Sequence, residues 1–288
     1  VFQIGDLKIY PICDAVTHVD GGGMFGLVPR VLWSRYIQPD DLNLIPSNSL
    51  CLLVKADDKN ILVDTAFGVG KLNEKQLRQW GLTRPHGSLM DALGRLGLAP
   101  EDIDLVINTH LHADHCTGNT YLSEDGKYLP TFPKAKHFTQ RQEYQDAMQP
   151  NERTRATYFP ENYEPLLTMG HLELLDDPET EIVRGVKMVV TPGHTPAHMS
   201  VVFESGGQHA MFLCDLSSMA IHFERIGWMT AYDVEPLVTL ETKRRWQTWA
   251  LEHDALLMVV HDTLKPAARL RLDKEGNPYM EAVACEYV

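Results

Sequence analysis

Apolar residues along this chain fall into short runs separated by polar turns, with stretches of helical spacing between them. Ser49-Leu50-Cys51-Leu52-Leu53-Val54 and Asn60-Ile61-Leu62-Val63-Asp64 read as strands joined across a turn at Asp57-Asp58-Lys59. Ser88 can cap a helix whose apolar face is Leu89, Leu93 and Leu96, with Gly97 ending it. Asp104 to Thr109 reads as a buried strand. The second half repeats the plan: Val186–Thr191, Met199–Phe203 and Ala210–Asp215 read as strands, Pro236 to Glu252 as a helix with Pro in its first turn, and Ala255–Val260 as another strand. Ile61-Leu62-Val63-Asp64-Thr65 and Met211-Phe212-Leu213-Cys214-Asp215 are both apolar runs that reach an Asp. They suggest a weak internal duplication, two β-rich halves facing one another between helices.

Two segments do not fit that alternation. Met24 to Tyr36 is apolar but broken by Gly and Pro, and reads as a loop near 18–41. It could wall a pocket, pack on a second subunit or pack on its own domain. The stretch near 120–170, with Tyr121, Tyr128, Phe132, Tyr158, Phe159 and Tyr163, reads as an insertion that could form a lid or pocket wall. No linker divides the 288 residues, so residues 1–288 are expected to form one domain.

Composition narrows the function. Hydrophobic residues make up 44% and charged residues 23%, and the net charge of −13 disfavours a nucleic-acid partner. No apolar run approaches the ~20 residues of a membrane span. Five cysteines without a CxxC pair argue against a disulfide framework and for a reducing cytoplasm; a leader cleaved before residue 1 stays open. Cys116 and Cys214 read as small buried packing residues.

The chemistry is concentrated in Thr109-His110-Leu111-His112-Ala113-Asp114-His115. Imidazole and carboxylate at this density suit Zn, with Mn, Fe or Co as alternatives. His194 in a Pro- and Gly-rich turn, Asp215 and His261 add three more donors at strand ends. Five imidazoles and two carboxylates exceed what one ion needs. They suit two ions sharing a bridging carboxylate, about 3.5–4 Å apart, that can hold a hydroxide between them.

This His110-x-His112-x-Asp114-His115 run, followed by His194, Asp215 and His261, resembles the metallo-β-lactamase superfamily. The resemblance implies an α+β fold, an αββα sandwich of two mixed sheets with the site at one edge. It implies that His110, His112 and His194 hold one ion, Asp114, His115 and His261 the other, and that Asp215 bridges both. Asp215 stands where the best-known β-lactamases have Cys, and His112 where the flavodiiron branch has Glu. Because 27 residues of this sequence follow His261, a glyoxalase-type C-terminal domain is not expected. What remains is similar to the acyl-homoserine lactonase and methyl parathion hydrolase group, which His194-Thr195-Pro196-Ala197-His198 and Gly21-Gly22-Gly23 also resemble. That group's best-studied lactonases carry a Tyr three positions after the bridging Asp, where this chain has Ser218.

The expected activity is dinuclear hydrolysis of a small-molecule lactone or carboxylic ester, with Asp114 or Asp215 orienting or accepting a proton. Phosphotriester or aryl ester hydrolysis is the alternative, and a metal-binding regulatory module a third reading. Asp64, His198, Ser218 and His222 are candidates for outer partners of the ligands. His18, His86, His137, His171, His209 and His253 read as surface residues. A homodimer is an open expectation.

Overall fold

A computed structural model describes residues 1–288. In chain order the strands are β1 (Phe2–Ile4), β2 (Leu7–Asp20), β3 (Leu44–Ala56), β4 (Lys59–Val63), β5 (Leu105–Ile107), β6 (Thr120–Leu122), β7 (Tyr128–Pro130), β8 (Lys136–Gln140), β9 (Leu172–Leu175), β10 (Glu179–Val183), β11 (Val186–Val190), β12 (Met199–Ser205), β13 (Gln208–Phe212), β14 (Leu256–Met258), β15 (Ala267–Leu272) and β16 (Pro278–Ala282). The helices are α1 (Gly21–Phe25), α2 (Arg30–Trp33), α3 (Glu74–Gln79), α4 (Leu89–Arg95), α5 (Ala113–Cys116), α6 (Arg141–Met148), α7 (Glu164–Thr168), α8 (Ala220–Glu224) and α9 (Pro236–Glu252). One seven-stranded sheet runs β1-β2-β3-β4-β5-β8-β9 and the other β10-β11-β12-β13-β14-β15-β16; β6 and β7 form a separate ribbon. Both large sheets are mixed. The hairpins β3–β4 and β12–β13 are antiparallel, whereas β4–β5 and β13–β14 are parallel.

Strand periodicity explains the layers. On β3, Leu50, Leu52 and Val54 meet Met188, Val201, Phe203, Phe212 and Met258 of the second sheet in a 23-residue core. The alternate residues Cys51 and Leu53 point the other way, onto Leu89, Ala92 and Leu93 of α4. On the far side, Met211 and Leu257 pack against Trp246 and Ala250 of α9. This is the αββα sandwich expected from the resemblance. Strands covered on both faces read as unbroken apolar runs. The Asp57-Asp58 turn bends back with φ of 45° and 59°, and Ser88 caps α4 in a reciprocal capping box with Asp91.

Four expectations need correcting. The strand read as Ala210–Asp215 ends at Phe212; Cys214 takes φ 48° and begins a 3₁₀ turn, Cys214–Ser217, that carries Asp215 out of the sheet. Residues 18–41 are not a plain loop, because α1 and α2 form within them. Met24, Phe25, Trp33 and Ile37 pack on Ile45, Met219 and Ile221 of the same chain, while Leu27 and Val31 remain exposed. Part of the 120–170 stretch is integral to the fold, since β8 lies between β5 and β9 in the first sheet. His137 on β8 is fully buried rather than on the surface. It shares the covered face of β8 with Thr139, while Lys136, Phe138 and Gln140 on the other face are more open, so neighbours rather than residue type decide exposure.

Candidate metal centre

The donors gather where the C-terminal ends of the central strands meet. His110, His112, Asp114 and His115 follow β5, His194 follows β11, Asp215 follows β13 and His261 follows β14. The donor atoms of His110, His112, His194 and Asp215 lie within 4.8 Å of one another, and so do those of Asp114, His115 and His261. Asp215 stands between the two groups. Its Oδ2 is 3.6 Å from His110 Nε2, 3.2 Å from His194 Nε2 and 3.3 Å from His115 Nε2, and its Oδ1 is 3.2 Å from His261 Nε2. Asp114 Oδ2 is 3.6 Å from both His115 Nε2 and His261 Nε2. His112 Nδ1 and His194 Nε2 are 3.0 Å apart. Donors bound tetrahedrally at Zn–N lengths of 2.0–2.1 Å sit about 3.3 Å apart, so these spacings fit shared ions. Nε2 of His110 and of His115 is buried without any hydrogen-bond partner, a costly state that a metal relieves. The residues therefore fit two divalent ions.

Outer partners set the imidazole tautomers. His115 Nδ1 donates to Asp64 Oδ2 at 3.1 Å, His194 Nδ1 to Asp233 Oδ1 at 3.0 Å and His261 Nδ1 to the Asn48 carbonyl at 2.7 Å. Each proton is held on Nδ1, so each Nε2 lone pair faces inward. Asp64 itself is fixed by Thr109, whose amide donates to Oδ1 at 2.9 Å and whose hydroxyl lies 2.9 Å from Oδ2. His198 is one layer behind: its Nε2 accepts the Asp215 amide at 3.1 Å and its Nδ1 is 2.9 Å from Thr191 Oγ1. Ser218 donates to Asp215 Oδ1 at 2.9 Å. His222 makes no hydrogen bond to any of the candidate ligands; it is buried edge-on to Phe25 with both ring nitrogens unpartnered.

Electrostatics follow the same division. Burial and the neighbouring imidazoles push His110 and His112 well below the usual histidine range, which favours the neutral, ligating form. Burial would also lower His194 and His261, but Asp215, with Asp233 beside the first and Asp114 beside the second, outweighs it and raises both. Burial would raise Asp215, yet His261, His194 and His115 hold it well below the ordinary carboxylate range. Burial drives His198 down to about 3.

Sequence reasoning did not single out Asp233, Asn48 or Glu143. Glu143 on α6 is fully buried and accepts the Leu111 amide at 2.9 Å, the Tyr158 hydroxyl at 3.1 Å and the Thr195 hydroxyl at 2.6 Å. It thus ties the His110–His112 turn to the His194 turn. No spacing rule marks such residues, because each reaches the site from a distant segment. The centre floors a cleft of about 110 Å³ lined also by Thr17, Ser47, Trp80, Thr157, Thr230 and Tyr232.

Comparison with known proteins places these features in context. Residues 44–263 match the Metallo-beta-lactamase superfamily. An N-acyl homoserine lactonase of Bacillus sp is 27% identical over 222 residues, covering 74% of this chain and 80% of that protein. The N-acyl homoserine lactonase AttM of Rhizobium radiobacter is 26% identical, covering 64% and 67%. A probable metal-dependent hydrolase from Staphylococcus aureus superposes with a TM-score of 0.87 at 30% identity, covering 99% of this chain and all of that one. The dizinc quorum-quenching lactonase AidC, in complex with its product, shares the fold with a TM-score of 0.79 at 17% identity, covering 99% and 97%.

Proposed function

Because the chain belongs to the metallo-β-lactamase superfamily, we propose that it is a dinuclear metal hydrolase acting on a lactone or carboxylic ester. Asp215, a member of one group of inward-facing donors and within 3.3 Å of His115 and His261 of the other, at the floor of an open cleft, carries this reading. Two divalent ions bound there would supply Lewis acidity and a water activated at neutral pH. The protein supplies the rest. Asp64, Asp233 and the Asn48 carbonyl orient three imidazoles, and Asp114, the least buried of the ligands, lies nearest the opening to relay a proton. The relation to acyl-homoserine lactonases makes a cyclic ester of an acylated small molecule the substrate class to test first.

The test is proton release when a medium-chain acyl lactone meets the metal-loaded protein. Release that His112→Ala abolishes supports the reading. A protein with two bound ions that releases no proton from the lactone, but cleaves aryl esters or phosphotriesters, would move the substrate assignment to those classes. No turnover on any of them would favour a metal-binding regulatory module.

A further inference from the structure

The cleft contains several hydroxyl groups, and most are already engaged. Thr17 donates to the Ser47 carbonyl, Thr157 to the Thr154 carbonyl at 2.7 Å, Ser218 to Asp215 Oδ1 and Thr230 to Asp233 Oδ1 at 2.8 Å. Ser218 therefore acts on the ligand rather than on anything in the cleft. Tyr232 differs: it lines the cleft together with Asp114, it is 47% exposed, and its hydroxyl makes no hydrogen bond to protein. Ser47 and the Trp80 indole line the same space, but Ser47 is only 3% exposed and Trp80 is packed edge-on against Phe67.

The Gly21-Gly22-Gly23 run explains how Tyr232 is seated. Asp20 Oδ1 caps α1 by accepting the Gly23 amide at 3.0 Å, and the Gly23 carbonyl accepts the Ala231 amide at 2.8 Å. That pair locks the 230–233 segment onto α1. A Cβ added at Gly23 would come within 2.6 Å of the Tyr232 hydroxyl, so only glycine lets the phenol lie there. Thr230 and Asp233, on the same segment, connect it to His194. The segment thus carries a ligand's outer partner and an unengaged phenol at fixed positions.

We propose that the Tyr232 hydroxyl donates a hydrogen bond to the carbonyl oxygen of the substrate at the reacting carbon. This rests on the hydrolase reading above. A phenol ionises only at about pH 10, so at neutral pH the group is protonated and able to donate. No bond of the tyrosine breaks: the acyl–oxygen bond of the substrate is cleaved by water, and the phenol only shares its proton with the oxygen that gains charge.

Tyr232→Phe removes the donor and leaves the ring. With both ions retained by elemental analysis, kcat for lactone opening should fall about tenfold to hundredfold, with KM changing less than about threefold. Gly23→Ala, which keeps the phenol but displaces it, should reproduce the loss of kcat. Calorimetry with the hydroxy-acid product, which presents carboxylate oxygens to the same donor, should show weaker binding to both variants. Unchanged kcat in Tyr232→Phe, a loss confined to KM, or a larger loss in Ser47→Ala would overturn the assignment while leaving the hydrolase reading intact. A wild-type protein with two ions and no turnover would overturn both.

Discussion

Removing the Glu143 carboxylate should uncouple two parts of the metal centre that are far apart in sequence. In Glu143→Ala, the Leu111 amide and the hydroxyls of Tyr158 and Thr195 lose their acceptors together. An orphaned buried polar group costs about 1–3 kcal/mol, and the two hydroxyls can rotate toward water admitted by the truncation, so a loss of ~3–5 kcal/mol is expected. That is a large share of the ~5–15 kcal/mol by which domains are stable. Glu143→Gln is the informative control. Its carbonyl can still accept from Leu111 and Tyr158, its amide can donate to Thr195 Oγ1, and it avoids a buried charge, the factor that raises the Glu143 pKa. Its cost should stay within about 1 kcal/mol. Urea unfolding of the metal-stripped variants at neutral pH measures both. Competition with a chelator should then show the Ala variant releasing the ion held by His110, His112 and His194 first, because Leu111 and Thr195 border those residues. An Ala variant within about 1 kcal/mol of wild type, or a Gln variant as unstable as Ala, would refute the buried-acceptor reasoning.

Other outcomes follow from single contacts. Asp233→Ala frees the His194 ring and should weaken metal binding about 10–100-fold, read by chelator competition. Burial and His171 depress His137 to about 3, so between that value and 6.5 the unfolded chain binds a proton that the native one does not; stability is therefore lost as pH falls through this window, by up to ~5 kcal/mol at its acid end. His137→Phe should flatten that acid slope in denaturant titrations without loss at pH 7, since it also removes two unpartnered ring nitrogens. Gly193→Ala, at φ +139° and with its new Cβ driven into Thr239 of α9, should displace the His194 turn and cost ~2 kcal/mol or more by thermal unfolding, together with metal affinity.

The parts of this molecule that were legible in its sequence share a physical feature: they are local. The β3–β4 hairpin declares itself through two apolar runs and an Asp-Asp turn, α4 through a capping residue and a three-to-four spacing, and α9 through its leading Pro. The seven donors were visible because four of them are consecutive or nearly so, and the rest sit in short strand-end turns. Less legible were elements defined by distant partners. The long β2 gains its place by pairing with β3, and β8 becomes central only through parallel pairing with β5 and β9. Glu143, Asp233 and Tyr232 likewise acquire meaning from groups that the chain brings to them. The exposure of His137 could not be read from its polar character, since it depends on what covers the outer face of β8.

The two apolar runs that reach an Asp show how a sequence likeness can hold while its chemistry differs. In each half an antiparallel hairpin leads into a parallel pair, and the chain then turns through a left-handed residue, Asp64 at φ 58° and Cys214 at φ 48°. The two left-handed residues meet: Cys214 Sγ is 3.6 Å from Asp64 Oδ2, and both converge on Thr109 and the Nδ1 side of His115. Asp215 is not the counterpart of Asp64, although both follow an apolar run: the Asp64 amide donates to the Ile107 carbonyl as the Leu213 amide donates to the Met258 carbonyl, two residues before Asp215. It lies one residue beyond the left-handed turn and so faces the cleft, on the Nε2 side of His115. The oxygens of Asp64 are engaged by Thr109 and His115 on the opposite side of that ring. An offset of two residues after equivalent strands thus separates a carboxylate that positions a ligand from one that can be a ligand, and the His115 ring is held between them.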